Sequence, residues 1–152
     1  MLNIEIISCL NDNYSYLLYD KDADIVAIID PSDFNPCDKI INKKYNKLDY
    51  ILNTHHHFDH VGGNQKLKEK YKSKVLGSEI DKDRIPGIDI ALKEKQNFKL
   101  GNTSFEVIFI PGHTKGHIAF YFKDEKIVFT GDTLFSLGCG RVFEGTYEQM
   151  FN

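Results

Sequence analysis

Every histidine of this chain lies in one of two short clusters, and each cluster follows an apolar run that reads as a β-strand. Four sit in Thr54-His55-His56-His57-Phe58-Asp59-His60 and two in Gly112-His113-Thr114-Lys115-Gly116-His117, which accounts for all six in 152 residues. Histidines serving separate local purposes would be scattered. Imidazoles and carboxylates gathered at strand ends are one way a protein holds a divalent ion. The chain therefore needs a fold that brings distant strand ends to one place.

In His55-x-His57 on extended backbone, residues i and i+2 point to the same side, so both rings can reach one ion while His56 points away. Asp59 and His60 precede Val61-Gly62-Gly63-Asn64, where a helix is expected to begin. The turn there lets both face the same cavity from another angle. His113 follows Pro111-Gly112, where glycine permits a sharp turn, and is a third imidazole for the first ion. Asp132 follows a strand ending at Thr130-Gly131, and its two oxygens can bridge ions about 3.5–4 Å apart. His117 reads as a hydrogen-bond partner of a ligand, as a substrate contact or as simple packing. Asp30, at another strand end, is a similar hydrogen-bonding candidate. The set points to a metal-dependent hydrolase. Two cations sharing a water lower its pKa and give a metal-bound hydroxide near neutral pH. Asp59 or Asp132 is placed to orient that water, and no separate general base is assigned.

Length and composition fit one globular domain over residues 1–152, with 41% apolar and 27% charged residues. The net charge of −3, with no basic tail or helix, argues against nucleic-acid and membrane-surface partners. No stretch approaches the roughly 20 apolar residues that span a bilayer. Met1-Leu2-Asn3-Ile4-Glu5 lacks the basic start and apolar middle of a leader, so a cytoplasmic location is expected. Cys9, Cys37 and Cys139 are odd in number and widely spaced, which does not suggest a disulfide framework. Cys139, between two glycines and with no adjacent histidine, reads as a small buried apolar residue rather than a nucleophile.

Alternation of Ile4 and Ile6 with Asn3 and Glu5 predicts an opening strand over 3–8, followed by an Asn11-Asp12-Asn13 turn. Residues 14–19 and 25–29 predict a hairpin. A helix is expected over 36–46 with Ile40 and Ile41 inward, then short strands at 50–52 and 74–77 flanking a helix over 63–71. Residues 79–95 have weak periodicity and stay mostly unassigned around a Pro86-Gly87 turn. Leu100-Gly101-Asn102 leads into a strand at 104–110, and 118–122 with 126–130 predict another hairpin.

The run from Thr54 to His60 resembles the signature of the metallo-β-lactamase fold superfamily. The longer run Ile51 to Asn64, the run Pro111 to Ile118 and the run Gly131 to Thr146, which includes Gly138-Cys139-Gly140-Arg141-Val142-Phe143-Glu144-Gly145, resemble glyoxalase II (hydroxyacylglutathione hydrolase) over essentially the whole chain. The resemblance implies an α/β fold, an αββα sandwich with the site at one edge of two sheets. It implies hydrolysis of S-D-lactoylglutathione to D-lactate and glutathione, with one or two divalent ions, zinc with iron or manganese as variants. Carried over by position, His55, His57 and His113 hold one ion, Asp59 and His60 the second, and Asp132 bridges. Arg141 falls at a basic substrate contact and Phe143 where some relatives have a tyrosine touching the same glutathione. Two other readings stand beside it: a mononuclear iron persulfide dioxygenase-like enzyme, using His55, His57 or His113 and Asp132, and a non-catalytic metal-binding module.

Thr146-x-x-Gln149 is a capping box opening a last short helix. No histidine follows His117, whereas the resemblance implies a further metal-binding histidine and a helical glutathione-binding region beyond this point. The expectation is a truncated form with an incomplete C-terminal part, a weakened second ion site, and an unpaired sheet edge open to self-association.

Overall fold

The computed structural model describes residues 2–152. Two β-sheets face each other. The larger has six strands: β1 (Leu2–Cys9), β2 (Asn13–Asp20), β3 (Ile25–Ile29), β4 (Tyr50–Leu52), β5 (Lys74–Ser78) and β6 (Ile90–Leu92), neighbouring in that order. The first two pairings are antiparallel and the next three parallel. The parallel strands need crossovers, and helices α1 (Phe34–Lys44), α2 (Phe58–Val61) and α3 (Asn64–Tyr71) lie in them. The smaller sheet has four antiparallel strands in the order β10-β9-β8-β7: β7 (Asn97–Leu100), β8 (Thr103–Phe109), β9 (Ile118–Phe122) and β10 (Ile127–Phe129). Helix α4 (Tyr147–Phe151) closes the described chain behind the Thr146 capping box.

Period-two alternation explains the main core. Leu18, Ala27, Ile29, Leu52 and Leu76 on one sheet meet Phe105, Val107, Ile118, Phe120 and Phe122 on the other, all essentially removed from water. Full burial of each such large side chain is worth about 1.5–3 kcal/mol. The opposite face of the large sheet packs Val26, Ile28, Ile51 and Val75 against Cys37 and Ile41 of α1 and Leu67 of α3.

Several boundaries differ from expectation. Helix α1 starts at Phe34, not residue 36, because the Asp33 side chain caps it by accepting from Asn35 N–H. Strand β6 falls in the weakly periodic 79–95 stretch and β7 just after it, where no strand is expected, since each is only three or four residues long. Ile4 and Ile6 share a sheet face with Leu2, yet Ile6 is 62% exposed. They line a groove of about 860 Å³ beside edge strands β1 and β10, with Tyr14, Tyr16, Phe129 and Phe135. Cys139 is exposed, not buried, because the 135–138 bridge turns that segment into solvent.

The fold gathers strand ends. Asp30 follows β3, His55 follows β4, His113 follows β8 and Asp132 follows β10. Parallel strands in the large sheet present their carboxyl ends together, where ligands bind in open α/β sheets. The two sheets are tied at this edge by Ile118 N–H donating to the Thr54 carbonyl at 2.9 Å. Gly62 sits so close to Ser32 that a side chain there would strike its carbonyl oxygen, which fixes the helical crossover against the Asp30 loop. Among the described residues, no helix is long and apolar enough to cross a membrane.

Candidate metal centre

Three imidazole nitrogens meet at one point. His57 Nδ1 lies 3.1 Å from His55 Nε2 and 3.0 Å from His113 Nε2. Partners on the far side of each ring say where the protons are. Thr54 Oγ1 gives its proton to Asp30 Oδ2 at 2.6 Å, so it accepts from His55 Nδ1 at 3.0 Å. That leaves His55 Nε2 as a bare lone pair. His113 Nδ1 donates to the Arg141 carbonyl at 2.6 Å, so its Nε2 is a lone pair too. His57 Nδ1 has at most one proton for both. Three converging acceptors of this kind suit a cation better than one another. Burial drives His55 far below the ordinary imidazole range, and the neighbouring imidazoles of His117 and His60 add to this. Burial and then His113 lower His57 as well. Both rings are therefore neutral and ready to coordinate.

A second group stands beside the first. His60 Nε2 is 3.2 Å from Asp132 Oδ1 and 3.6 Å from Asp59 Oδ2, and it is a buried nitrogen without an aligned hydrogen bond. Its Nδ1 faces Asp30 Oδ2 at 3.0 Å. Burial opposes protonation of His60, but Asp30 and Asp132 outweigh it and push its pKa up to about 10. Burial raises Asp132 while His60 more than reverses this, so the carboxylate lies below its usual range. The other oxygen of Asp132, Oδ2, is 3.3 Å from His113 Nε2. One carboxylate thus touches both groups, the arrangement a bridging ligand needs.

The remaining candidates take distinct places. Asp30 aligns His60 and accepts from Thr54 N–H at 2.8 Å. It is held with a left-handed φ of 47°, uncommon for a non-glycine residue. His117 stacks on His55, with centroids 4.6 Å apart and planes at 18°, and its Nε2 accepts the Asp132 N–H at 3.1 Å. Burial and then His113 hold its pKa down to about 3. Gly131 makes this stacking possible, since φ is 49° and a side chain would strike Thr54 Oγ1 and the His117 ring. Arg141 has an exposed side chain and reaches the centre through its carbonyl. The Phe143 ring stands edge-on to His57 and His113, at 5.6 and 5.3 Å between centroids. His56 points away: Nδ1 is 3.2 Å from Asp81 Oδ2 and Nε2 3.7 Å from Glu144 Oε1, and Arg84 pairs with both carboxylates.

Two residues escape sequence reading. Thr54 relays between Asp30 and His55, and its position just before the cluster is the one signal. Asn13 Nδ2 donates to Asp59 Oδ2 at 3.0 Å and to the Asp59 carbonyl at 3.2 Å across 46 residues, with no local signal.

The pattern of the metallo-beta-lactamase superfamily matches residues 11–151. Hydroxyacylglutathione hydrolase from Pelagibacter ubique is 57% identical over 151 residues, covering 99% of this chain and 63% of that protein. The chain spans about three fifths of the length of the curated relatives it matches. Among solved structures, the BLEG-1 B3 metallo-beta-lactamase superposes with a TM-score of 0.85 at 24% identity, over 99% of this chain and 81% of that one. TTHA1623 in a di-iron-bound form gives 0.76 at 26% identity, over 95% and 80%.

Proposed function

The chain belongs to the metallo-beta-lactamase superfamily, and from that premise we propose that it is a metal-dependent thioester hydrolase converting S-D-lactoylglutathione to D-lactate and glutathione. The observation that carries this reading is His57 Nδ1 facing two lone-pair nitrogens, with Asp132 reaching from that trio to His60. The likeness to hydroxyacylglutathione hydrolase supports the substrate. Divalent ions suit these donors. His55, His57 and His113 would hold one, Asp59 and His60 a second, and Asp132 would bridge. Mixed nitrogen and oxygen donors accept zinc, iron or manganese, and the di-iron form of TTHA1623 supports iron as one variant. When bound, such ions supply positive charge that polarises an acyl carbonyl and acidifies water.

The chain's own residues do the rest. Asp59 and Asp132 turn carboxylate oxygens to the cavity and orient a water for attack on the thioester carbonyl carbon. Asn13 fixes Asp59, while the His117 ring and Asp132 N–H fix Asp132. The carbon–sulfur bond breaks with the thiolate leaving, and a thiolate needs no strong acid to depart. Phe143 sets its ring edge-on beside His57 and His113, and Arg141 offers a cation to an anionic glutathione. The reading places the chain in a cytoplasm, where thiols are kept reduced.

Elemental analysis of protein purified without added metal, paired with a thioester assay, tests the proposal. The expected result is up to two equivalents of metal and turnover of the glutathione thioester. One iron with oxygen consumption on a persulfide would replace it with the oxygenase, and bound metal without turnover would leave a binding module.

A further inference from the structure

The cysteines are not as separate as their spacing suggests. Cys9 ends β1 and Cys37 lies in α1, yet their sulfurs are 3.8 Å apart. Both are buried, and the thioester chemistry uses neither. The pair borders the metal centre through one hydroxyl. Ser15 Oγ lies 3.3 Å from Cys9 Sγ, accepts the Ser32 N–H at 3.2 Å and donates to the Asp30 carbonyl at 2.7 Å. Cys9 adjoins an exposed turn over 10–12, and local opening of such a turn would bring its sulfur within reach of small molecules. The hydrogen bond from Cys37 lowers the Cys9 pKa and favours its thiolate. Cys37, keeping the shared proton, is pushed up.

We propose that Cys9 and Cys37 are a redox modification site that closes to a reversible intramolecular disulfide, with a hydroperoxide as oxidant. The Cys9 thiolate attacks the nearer peroxide oxygen. The oxygen–oxygen bond breaks, a sulfenic acid forms, and the departing hydroxide takes a proton to leave as water. The Cys37 sulfur then attacks the Cys9 sulfur. The sulfur–oxygen bond breaks, the Cys37 proton goes to the departing hydroxyl, and a second water leaves. The two thiols lose two electrons and two protons, and the peroxide gains them. The sulfurs close to about 2 Å, which draws Cys9 from Ser15 and loosens the support under Asp30. A dithiol reductant restores the pair. This site does not depend on the identity of the substrate.

Dilute hydrogen peroxide on the full chain, followed by intact mass and peptide mapping without reduction, tests it. The expected product has lost two hydrogens and carries a Cys9–Cys37 crosslink that dithiothreitol reverses. Cys139→Ser should form the same crosslink. Cys37→Ser should instead stop at a Cys9 sulfenic acid that a dimedone probe labels. The proposal is overturned if Cys9 and Cys37 both alkylate fully on unfolding after peroxide treatment, or if the crosslink found contains Cys139. Mapping of the unsubstituted chain decides the matter even where Cys37→Ser does not fold.

Discussion

At one end of the centre, His55, His57 and His113 turn three ring nitrogens to a common point; at the other, His60 is surrounded by Asp30, Asp59 and Asp132. The trio has too few protons and no counter-charge of its own beyond Asp132. The His60 group has a surplus of carboxylates and retains a proton to balance them. Both sets of donors can take a divalent ion, but an ion finds His55 and His57 already neutral and must displace a proton from His60. Preorganisation is similar at the two ends. His55, His113 and His60 are each held by a hydrogen bond on the far nitrogen, and Asp59 is held by Asn13.

Removing the nitrogen common to both short contacts should do most damage. His57→Ala is expected to lose tightly bound metal and to lower the proposed thioester hydrolysis by about a thousandfold or more, since a bound ion would supply several kcal/mol of charge stabilisation. Metal analysis of the purified variant checks this. Wild-type metal content would mean that the trio is not the principal site.

Acidity should separate the two groups next. The His60 pKa is raised to about 10 in the ion-free protein, so an ion binding there releases a proton at neutral pH. Affinity for the second equivalent should therefore rise by up to about tenfold per pH unit below that value. The first equivalent should change far less, since His55 and His57 are lowered and already neutral. The same group sets a stability trend without metal. Because its folded pKa lies above its unfolded value of about 6.5, the contribution is complete below pH 6.5 and is lost as pH rises toward 10. Titrations at several pH values, with and without chelator, read both effects. Equal pH slopes for the two equivalents would remove the distinction.

Asp30→Asn should act on the His60 group more than on the trio. Asparagine has one acceptor oxygen, where Asp30 gives Oδ1 to the Thr54 N–H and Oδ2 to both Thr54 Oγ1 and His60 Nδ1, and it loses the charge that aligns His60. Loss of such an outer partner weakens a metal site on the order of 10–100-fold. The second equivalent should weaken by that factor and the first by less. Equal weakening of both would show that Thr54 carries the effect into the trio through His55.

The contrast also shows what a sequence can carry. The two histidine clusters were legible because i, i+2 geometry is local and because apolar runs mark the strands that deliver them. The main strands were legible for the same reason, with β3, β4 and β9 at their expected bounds. Strands β6 and β7 were not, since three or four residues cannot establish a period. Asn13 beneath Asp59, and Cys9 beside Cys37, depend on packing between segments far apart in the chain. No residue near either contact announces it. Ile6 marks a related limit of pattern: alternation gives the sheet face, but whether that face is covered depends on how far the opposing sheet extends. Cys139 shows that residue type is a poor guide to burial in a turn-rich segment.

His56 supplies the smallest test, because it belongs to the clustered sequence but to neither group of donors. Its ring is 17% exposed and sits against the fully buried Asp81 carboxylate, which Arg84 also engages. Glu144 joins on the other side and accepts the Lys115 N–H at 2.8 Å, so the network fastens the 54–60 loop to the segment after Asp132. His56→Ala removes one partner of a charged hydrogen bond while Arg84 still covers Asp81. A loss of about 1–2 kcal/mol in unfolding free energy is expected, with metal content unchanged. His56→Gln, which can still donate to Asp81, should recover part of it. If His56→Ala instead lost metal as His57→Ala should, alternation along the extended segment would not be what separates donor from anchor.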